Sequence, residues 1–305
     1  MKMTTRHSRR TIVVGVDGSD DAVRAVRWAA TEADRRGSLL RLVTAIPWTD
    51  DQLVGLPGVD QDRYGTHLQV ESEKRLVAAV DVATSTRPGV QVEHALVVGS
   101  ASGVLSVEAE EAELLVVGDR GHGRFGSLLA GSVAVAMASH AVCPVVVVRG
   151  EDRAVVTTAA DASAPVVVGI DTTPTSEAAI AFAFDAAAVR RAPLVVVHTW
   201  IDALSDSYLA PIVDWDALAE EERGHLAERL AGWNEKYPDV AVERIVANGR
   251  AAHVLLELSE RAQLVVVGSR GHGEFAGLVL GSVSNALVHK AGCPVAVVRS
   301  ADEPA

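Results

Sequence analysis

The sequence predicts an α/β protein built from two similar domains, each a doubly wound, five-stranded parallel sheet with helices on both faces. Short aliphatic runs alternate along the chain with longer segments whose apolar residues recur at helical spacing, an order typical of parallel sheets. The chain also repeats itself, because 21 of the 36 residues of Leu114–Arg149 are identical to those of Leu264–Arg299 at a constant offset of 150. Of the 305 residues, 49% are hydrophobic but 4% aromatic, and such a composition suits aliphatic strands buried on both faces.

Each element of the first half follows from its residue pattern. The first helix, for example, has Val23, Val26 and Ala30 at helical spacing and stops at Gly37, a residue type that commonly follows the end of a helix. The predicted order is strand Thr11–Val16, helix Asp20–Arg36, strand Leu39–Ile46, loop Pro47–Gly65, helix Leu68–Ala83, strand Val90–Val98, helix Ala101–Glu111, strand Leu114–Val117, helix Ser132–His140 and strand Val145–Val148.

The second half repeats this order after a polar stretch rich in small residues. The predicted elements are strand Val166–Ile170, helix Ser176–Arg191, strand Leu194–Trp200, loop Ile201–Asp216, helix Leu218–Lys236, strand Val240–Val246, helix Ala251–Arg261, strand Leu264–Val267, helix Ser282–Lys290 and strand Val295–Val298. We predict domains at residues 1–150 and 164–305, joined by a linker at 151–163. Such Rossmann-like or flavodoxin-like sheets bind ligands beyond the carboxyl ends of their strands.

The charge balance excludes several classes of partner. With 28 Lys and Arg against 40 Asp and Glu, the formal net charge is −12, and this charge repels nucleic acid and anionic lipid. The segment Phe125–Val148 lacks charged residues, but its Gly, Ser, His and Pro residues indicate a buried helix, a turn and a strand rather than a membrane span. We therefore expect neither nucleic-acid nor membrane binding.

The termini and cysteines indicate a cytoplasmic protein. The basic residues before Thr11 are not followed by the apolar region of a signal peptide, so secretion is not expected. Cys143 and Cys293 are too few for a disulfide framework or a Cys-based zinc site, and free thiols fit a reducing compartment. We interpret both as buried small apolar residues, with a redox pair as the alternative.

A glycine motif after the fourth strand of each half predicts a phosphate site. It reads Gly-x2-Gly-x9-Gly-Ser at Gly118–Ser132 and again at Gly268–Ser282. Glycine lets a backbone approach a phosphate closely, and the last glycine opens a helix whose free N–H groups attract anions. The alternative for each copy is that its glycines only form tight turns, but two copies at identical spacing favour a binding role.

An aspartate ends the first strand of each half and faces the same crevice. Asp17 and Asp171 could accept a hydrogen bond from a ribose hydroxyl or an adenine amine, hold a metal ion through water, or cap a helix. Neither half contains the P-loop pattern GxxxxGK[ST], and GxGxxG is absent after the first strand. These absences disfavour a P-loop ATPase and the usual NAD-dependent enzyme.

Together these motifs resemble those of the universal stress protein family in its tandem form. The resemblance covers roughly Arg10–Gly150 and Ala164–Ser300 and rests on the Val-Gly-[Val/Ile]-Asp start, the glycine motif and the closing Cys-Pro-Val-x-Val-Val-Arg strand. It implies two adenine nucleotide alpha hydrolase-like domains that bind ATP, often with Mg²⁺ or Mn²⁺. Carried over by position, the first ATP site comprises Gly15, Asp17, Ala45, Gly118, Arg120, Gly121, His122, Gly123, Gly131, Ser132 and Val133. The second comprises Gly169, Asp171, Thr199, Gly268, Arg270, Gly271, His272, Gly273, Gly281, Ser282 and Val283.

The resemblance also implies a regulatory role in stress response or growth arrest, with an unidentified protein partner. A homodimer is expected through the last strands, although Val145–Arg149 and Val295–Arg299 could instead pair within one chain. Asp17 and Asp171 are the candidate metal ligands, through water. We assign no catalytic residue and expect any ATP hydrolysis to be slow. The alternatives are a slow metal-dependent ATPase, a cyclic-AMP-binding protein and an interaction module without nucleotide.

The two halves differ beside the predicted phosphate site. Asp119 of the first half corresponds to Ser269 of the second, and Arg124 corresponds to Glu274. Because a carboxylate repels phosphate at short range, the second half is predicted to bind ATP more tightly. The long loops after the second strand of each half are predicted to act as lids.

Overall fold

The computed structural model describes residues 10–47, 61–121, 130–149, 163–171, 176–200, 215–271 and 280–300. Its chain divides into two compact units, the first ending at Val148 and the second beginning at Arg149.

The first unit is a five-stranded parallel sheet with its helices in the connections. Its elements are β1 (Thr11–Gly15), α1 (Asp20–Arg36), β2 (Leu39–Ile46), α2 (Gln61–Thr86), β3 (Val92–Val98), α3 (Ala101–Ala109), β4 (Leu114–Gly118), α4 (Ser132–His140) and β5 (Val145–Val148). The strand order is β3-β2-β1-β4-β5. The order reverses at β1, so the crevice between β1 and β4 is the switch point at which such sheets bind ligands.

The second unit repeats this architecture. Its elements are β6 (Val166–Ile170), α5 (Ser176–Arg190), β7 (Leu194–Trp200), α6 (Trp215–Lys236), β8 (Val242–Asn248), α7 (Ala251–Ser259), β9 (Leu264–Gly268), α8 (Ser282–Lys290) and β10 (Val295–Val298). The order β8-β7-β6-β9-β10 matches that of the first unit strand for strand. The predicted fold class, two doubly wound parallel sheets, is confirmed.

Aliphatic strands form the core of each unit, as the composition predicts. The four valines of β5 and the residues Leu114–Val117 of β4 are at most 3% exposed, as are their counterparts in β9, Leu264–Val267. Each fully buried aliphatic side chain of this size contributes about 1.5–3 kcal/mol. The strands are therefore firmly held, and their carboxyl ends give the site a rigid base.

Local capping fixes the ends of α1, which adjoins the site. The hydroxyl of Ser19 accepts a hydrogen bond from the backbone N–H of Ala22, and Gly37 adopts the left-handed conformation at φ 64°. A capping serine and a terminal glycine each satisfy backbone groups that a helix end leaves open. The predicted bounds of α1 are therefore confirmed residue for residue.

Two predicted loops are shorter than expected. Helix α2 begins at Gln61, inside the loop predicted for Pro47–Gly65, and α6 begins at Trp215 rather than Leu218. The early turns of α2 are largely exposed and lack the apolar face that would have marked them as helical. Residues 48–60 and 201–214 of the predicted lids, and residues 151–162 of the linker predicted at 151–163, lie outside the described residues.

Further expectations concern the cysteines and the uncharged segment. Cys143 and Cys293 are buried free thiols, as predicted, and burial raises the pKa of Cys143 to about 11 and that of Cys293 to about 12. Ser132–Val148 forms the predicted helix, turn and strand. Within the part of the chain that the structure describes, no helix has the length and apolar character of a membrane span.

Candidate functional site

The turn after β1 holds the first predicted site residue. The backbone N–H of Ser19 donates to Asp17 Oδ1 at 2.9 Å, an Asx-type turn that fixes the aspartate side chain. Gly18 between them has a φ of 85°, which glycine adopts without strain. In the second unit, the hydroxyl of Ser176 donates to Asp171 Oδ1 at 2.5 Å. Both strand-end carboxylates are therefore oriented by local hydrogen bonds.

The strand-end carboxylate and the middle glycine of the loop motif meet in both units. A methyl group added at Gly121 would contact Asp17 Oδ2, and one added at Gly271 would lie 2.9 Å from Asp171 Oδ2. The paired residues are about 100 positions apart in the sequence, but the carboxyl ends of adjacent parallel strands share one edge. Any larger residue at these glycines would displace the carboxylate.

The last glycine of the motif leaves a helix N-terminus without a side-chain cap. Helices α4 and α8 start directly after Gly131 and Gly281, and neither glycine position has a side-chain cap hydrogen bond. By contrast, α1 and α3 are capped by Ser19 and Ser100. The first N–H groups of an uncapped helix can bind an anion, and Ser132 and Val133, or Ser282 and Val283, contribute those groups here.

The backbone of the motif closes on itself in the same way in both units. The N–H of Gly131 donates to the carbonyl of Asp119 at 2.5 Å, and that of Gly281 donates to Ser269 at 2.8 Å. Methyl groups at Gly131 and Gly281 would lie 3.3 and 3.1 Å from these carbonyl oxygens. The motif therefore folds back from the end of the fourth strand to the start of the following helix.

Other predicted site glycines have a packing role. A methyl group at Gly15 would lie 2.9 Å from Leu105 Cδ1, and one at Gly169 would lie 2.6 Å from Leu255 Cδ1. A methyl group at Gly118 would lie 2.8 Å from the backbone of the first turn of α1. One at Gly268 would lie 3.1 Å from the main-chain carbonyl oxygen of Arg270. Helix packing alone accounts for glycine at the first three of these positions.

The predicted adenine positions lie at the ends of the second strands. Ala45 pairs with Val97, and Thr199 pairs with Ala247. The residues before them also touch the strand-one turn, a role that the sequence analysis missed. Thr44 donates its hydroxyl to Val16 at 2.9 Å, whereas His198 places Nδ1 3.3 Å from the carbonyl of Ile170.

The charge beside the motif differs between the units. Asp119 is 2% exposed, and the Nε of Arg120 lies 3.5 Å from its carboxylate and 3.8 Å from that of Asp21. The second unit has the neutral Ser269 at the corresponding position, also 2% exposed. Arg120, a predicted phosphate residue, therefore has carboxylate neighbours, one of which, Asp21, the sequence analysis did not identify.

The sequence analysis also missed an arginine on the second helix of each unit. Arg75 Nη1 donates to the main-chain carbonyl of Asp17 at 3.3 Å, and Arg229 Nη1 donates to that of Asp171 at 2.9 Å. Both pairs have the same sequence separation of 58 residues. The sequence held a signal for these arginines, because an Arg-Leu pair recurs at the same offset that separates Asp17 from Asp171.

Several predicted residues cannot be placed, and the metal prediction can be examined only for part of the chain. His122, Gly123, His272 and Gly273 lie outside the described residues, as do Arg124 and Glu274. No group of three or more His, Cys, Asp or Glu residues that could hold a metal occurs in the described ranges. A single carboxylate at each strand end fits a Mg²⁺ ion held mainly by substrate phosphates and water.

Comparison with known proteins identifies the family. The model of the universal stress protein family matches residues 8–149 and again residues 163–299. A universal stress protein of Mycobacterium tuberculosis H37Rv is 40% identical over 305 residues, covering 97% of this chain and 99% of the relative. One from Mycolicibacterium smegmatis is 40% identical over 293 residues, covering 94% of this chain and 96% of that protein.

A solved structure supports the fold independently. The crystal structure of a universal stress protein from Archaeoglobus fulgidus DSM 4304 matches 97% of this chain and 98% of its own, with a TM-score of 0.70 at 19% identity. At that identity the match speaks for the fold alone. The family matches over both halves lead to one conclusion: the chain belongs to the universal stress protein family and carries two of its domains in tandem.

Proposed function

We propose that each unit of this protein binds ATP at the carboxyl edge of its sheet, and that binding sets a regulatory state in stress response or growth arrest. One observation carries the proposal: in both units the strand-end carboxylate lies against the middle glycine of the loop motif. A bare backbone, an oriented carboxylate and an uncapped helix N-terminus at one strand edge match the parts of a nucleotide.

The parts of the nucleotide are assigned by chemistry. Asp17 and Asp171 accept hydrogen bonds from the ribose hydroxyls or the adenine amine. The N–H groups at the starts of α4 and α8 bind phosphate oxygens, with the hydroxyls of Ser132 and Ser282 as additional donors. A bound Mg²⁺ or Mn²⁺ would neutralise phosphate charge and be held by Asp17 or Asp171 through water.

Binding rather than turnover is the proposed activity. Asp17 is oriented by the backbone N–H of Ser19, which holds its carboxylate in place for a ligand. Hydrolysis of ATP needs an oriented nucleophile and a stabilised transition state. We therefore propose a cytoplasmic regulatory protein that holds its nucleotide, with homodimerisation through the last strands as its expected assembly.

The experiment is to identify and count the nucleotide that the purified chain carries. Ligand released by denaturation is analysed by mass spectrometry, and ATP affinity is measured by calorimetry for wild type, Asp17→Ala and Asp171→Ala. At saturating ATP the proposal expects about two sites per chain in wild type and about one in each variant, because each aspartate serves one unit. Cyclic AMP in place of ATP would change the ligand assignment, and sustained metal-dependent turnover would support an enzyme. If the purified chain retains no nucleotide and shows no measurable ATP binding, the proposal is refuted in favour of an interaction module.

A further inference from the structure

The arginines on the second helices persist where their surroundings have changed. At the 154-residue offset that aligns Asp17 with Asp171, Gln61–Val82 of α2 aligns with Trp215–Lys236 of α6, and 3 of these 22 positions are identical. Two of the three are the adjacent pairs Arg75-Leu76 and Arg229-Leu230. The leucines are 2% and 0% exposed, so core packing explains them. Core packing does not explain the arginines, which are exposed or half-buried.

The arginines approach the site from the side opposite the glycine motif. Helix α2 connects β2 to β3, and β2 pairs with β1 on the edge that faces away from β4. The glycine motif follows β4. Arg75 and Arg229 therefore reach the strand-end aspartates from the β2 or β7 side, where the predicted adenine positions Ala45 and Thr199 lie, and not from the side of the glycine motif.

Local packing holds Arg75 over the turn. A methyl group at Gly18 would lie 2.7 Å from Arg75 Cδ and 3.0 Å from Cγ, so the aliphatic part of the arginine covers the bare backbone of that glycine. Its guanidinium then reaches the carbonyl of Asp17. The stem and the head of the arginine are thus both positioned by the turn that carries the site carboxylate.

The chemistry of guanidinium fits the nucleoside end of a ligand. A guanidinium is planar and carries five N–H donors, and it stacks on the faces of aromatic rings. One N–H of each arginine is used on a main-chain carbonyl, and Arg229 also lies 3.9 Å from the exposed carboxylate of Glu177. These contacts hold each guanidinium plane at the turn.

We propose that Arg75 and Arg229 are nucleoside-binding residues, whose guanidinium planes cover the adenine ring while Nη1 holds the strand-end aspartate in place. This inference rests on the proposed function and adds the group that recognises the base. It assigns recognition to the adenosine part of the ligand, independent of the number of phosphates. On this assignment, the strand-end aspartate and the arginine contact the ligand from the two sides of the turn after the first strand.

The test compares ligands that share the base but differ in phosphates. Full-length wild type, Arg75→Met with Arg229→Met, and the corresponding double Lys variant are titrated with ATP, AMP and adenosine by calorimetry. Methionine keeps an unbranched aliphatic side chain, which at Arg75 covers Gly18, but removes the cation, whereas lysine keeps the charge and removes the plane. The neighbouring Lys74→Met is the control for the loss of a cation from the same helix, because Lys74 pairs with Glu71 on the surface of α2.

The expected result is an equal loss of affinity for all three ligands. The Met variant should bind each about tenfold more weakly, the Lys variant should recover little of this, and Lys74→Met should leave the affinities unchanged. Unchanged affinities in the Met variant, a loss larger for ATP than for adenosine, or full recovery by lysine would each overturn the proposal. A wild type that binds neither ATP nor adenosine would overturn the proposed function, and the arginine role with it.

Discussion

Alanine at the middle glycine of the motif tests whether the strand-end carboxylate and the glycine loop form one site. A methyl group at Gly121 would contact Asp17 Oδ2, and at Gly271 it would lie 2.9 Å from Asp171 Oδ2. These oxygens are the terminal atoms of short side chains, so the carboxylate can rotate away, at the cost of its local hydrogen bond, while the backbone keeps its course. We therefore expect Gly121→Ala and Gly271→Ala to weaken ligand binding with little loss of stability.

The structure sets the size of both effects. Rotating Asp17 breaks the hydrogen bond from the N–H of Ser19 to Oδ1, which costs about 1 kcal/mol in the free energy of unfolding. For a unit of this size that is a fall of about 2–4 °C in Tm. Losing a charged acceptor for the ligand costs about 1.5–3 kcal/mol, which weakens ATP binding by about tenfold to a hundredfold.

Calorimetry with ATP and thermal unfolding measure these two quantities on the same samples. Gly65→Ala is the neutral control, because nothing lies within 4 Å of an added methyl group there. It should keep the ATP affinity and raise stability by about 0.5–1 kcal/mol, since alanine favours a helix over glycine. Gly118→Ala is the structural control, because its methyl group would lie 2.8 Å from the backbone of α1 and should cost about 1–3 kcal/mol.

Two results would refute the reasoning about Gly121. Full ATP affinity in Gly121→Ala would show that the carboxylate and the loop do not act on one ligand. A loss of stability as large as that of Gly118→Ala would show that the glycine serves backbone packing, as Gly118 does.

Three other contacts have measurable consequences. Asp119→Ser should strengthen ATP binding by the first unit and Ser269→Asp should weaken it in the second, each by about tenfold at low salt; calorimetry that gives equal affinities would contradict the charge argument. Because burial raises the pKa of Cys143 to about 11 and that of Cys293 to about 12, native thiols should react slowly with a disulfide reagent at pH 8. The contribution of the two thiols to the free energy of unfolding should also be constant below about pH 9 and fall as pH rises towards those values, because the thiols ionise at lower pH in the unfolded chain. Fast labelling of the folded protein would contradict the protected state of both thiols. Glu32→Ala should lower the free energy of unfolding in urea by about 3 kcal/mol, since it takes one of two carboxylates from a buried arginine, and a change below about 1 kcal/mol would show that the second suffices.

Elements with both an apolar face and local end signals could be predicted from the sequence to the residue. Helix α1 has its apolar spacing, a capping serine and a terminal glycine, and its bounds agree. The first turns of α2 have neither signal, because most of their side chains are exposed. Their helical state depends on the turns that follow, whose Leu76 and Ala79 pack into the core. A residue pattern read locally cannot detect a helix that is stabilised from its other end.

The site was predictable to the extent that topology determines it. A strand-end aspartate and a glycine motif after an adjacent strand must share one edge, and the contact of Asp17 with Gly121 follows from that. The contacts of Arg75 and Asp21 depend instead on the rotation of a helix about its axis and on side-chain rotamers. Sequence spacing does not determine those, although the repeat of Arg75 as Arg229 offered an indirect signal.

The duplication itself supports a division between backbone and side-chain contributions to binding. The two units share backbone features, which are the bare glycines, the uncapped helix N-termini and the closure of the motif on the carbonyl of Asp119 or Ser269. They also share two side chains, the strand-end aspartate and the arginine of the second helix. The parts that differ are side chains that border them, such as Asp119 against Ser269 and Thr44 against His198. Because a side-chain substitution leaves the backbone N–H donors in place, each unit can change its affinity while it keeps the shared backbone of the site. A phosphate bound there would meet the carboxylate of Asp119, which is 2% exposed and 3.5 Å from Arg120. Arg120 offsets part of the repulsion, but burial reduces solvent screening of the rest. If each unit binds ATP as proposed, this difference predicts that the second unit binds it more tightly and that the occupancy of the first responds to the ATP concentration.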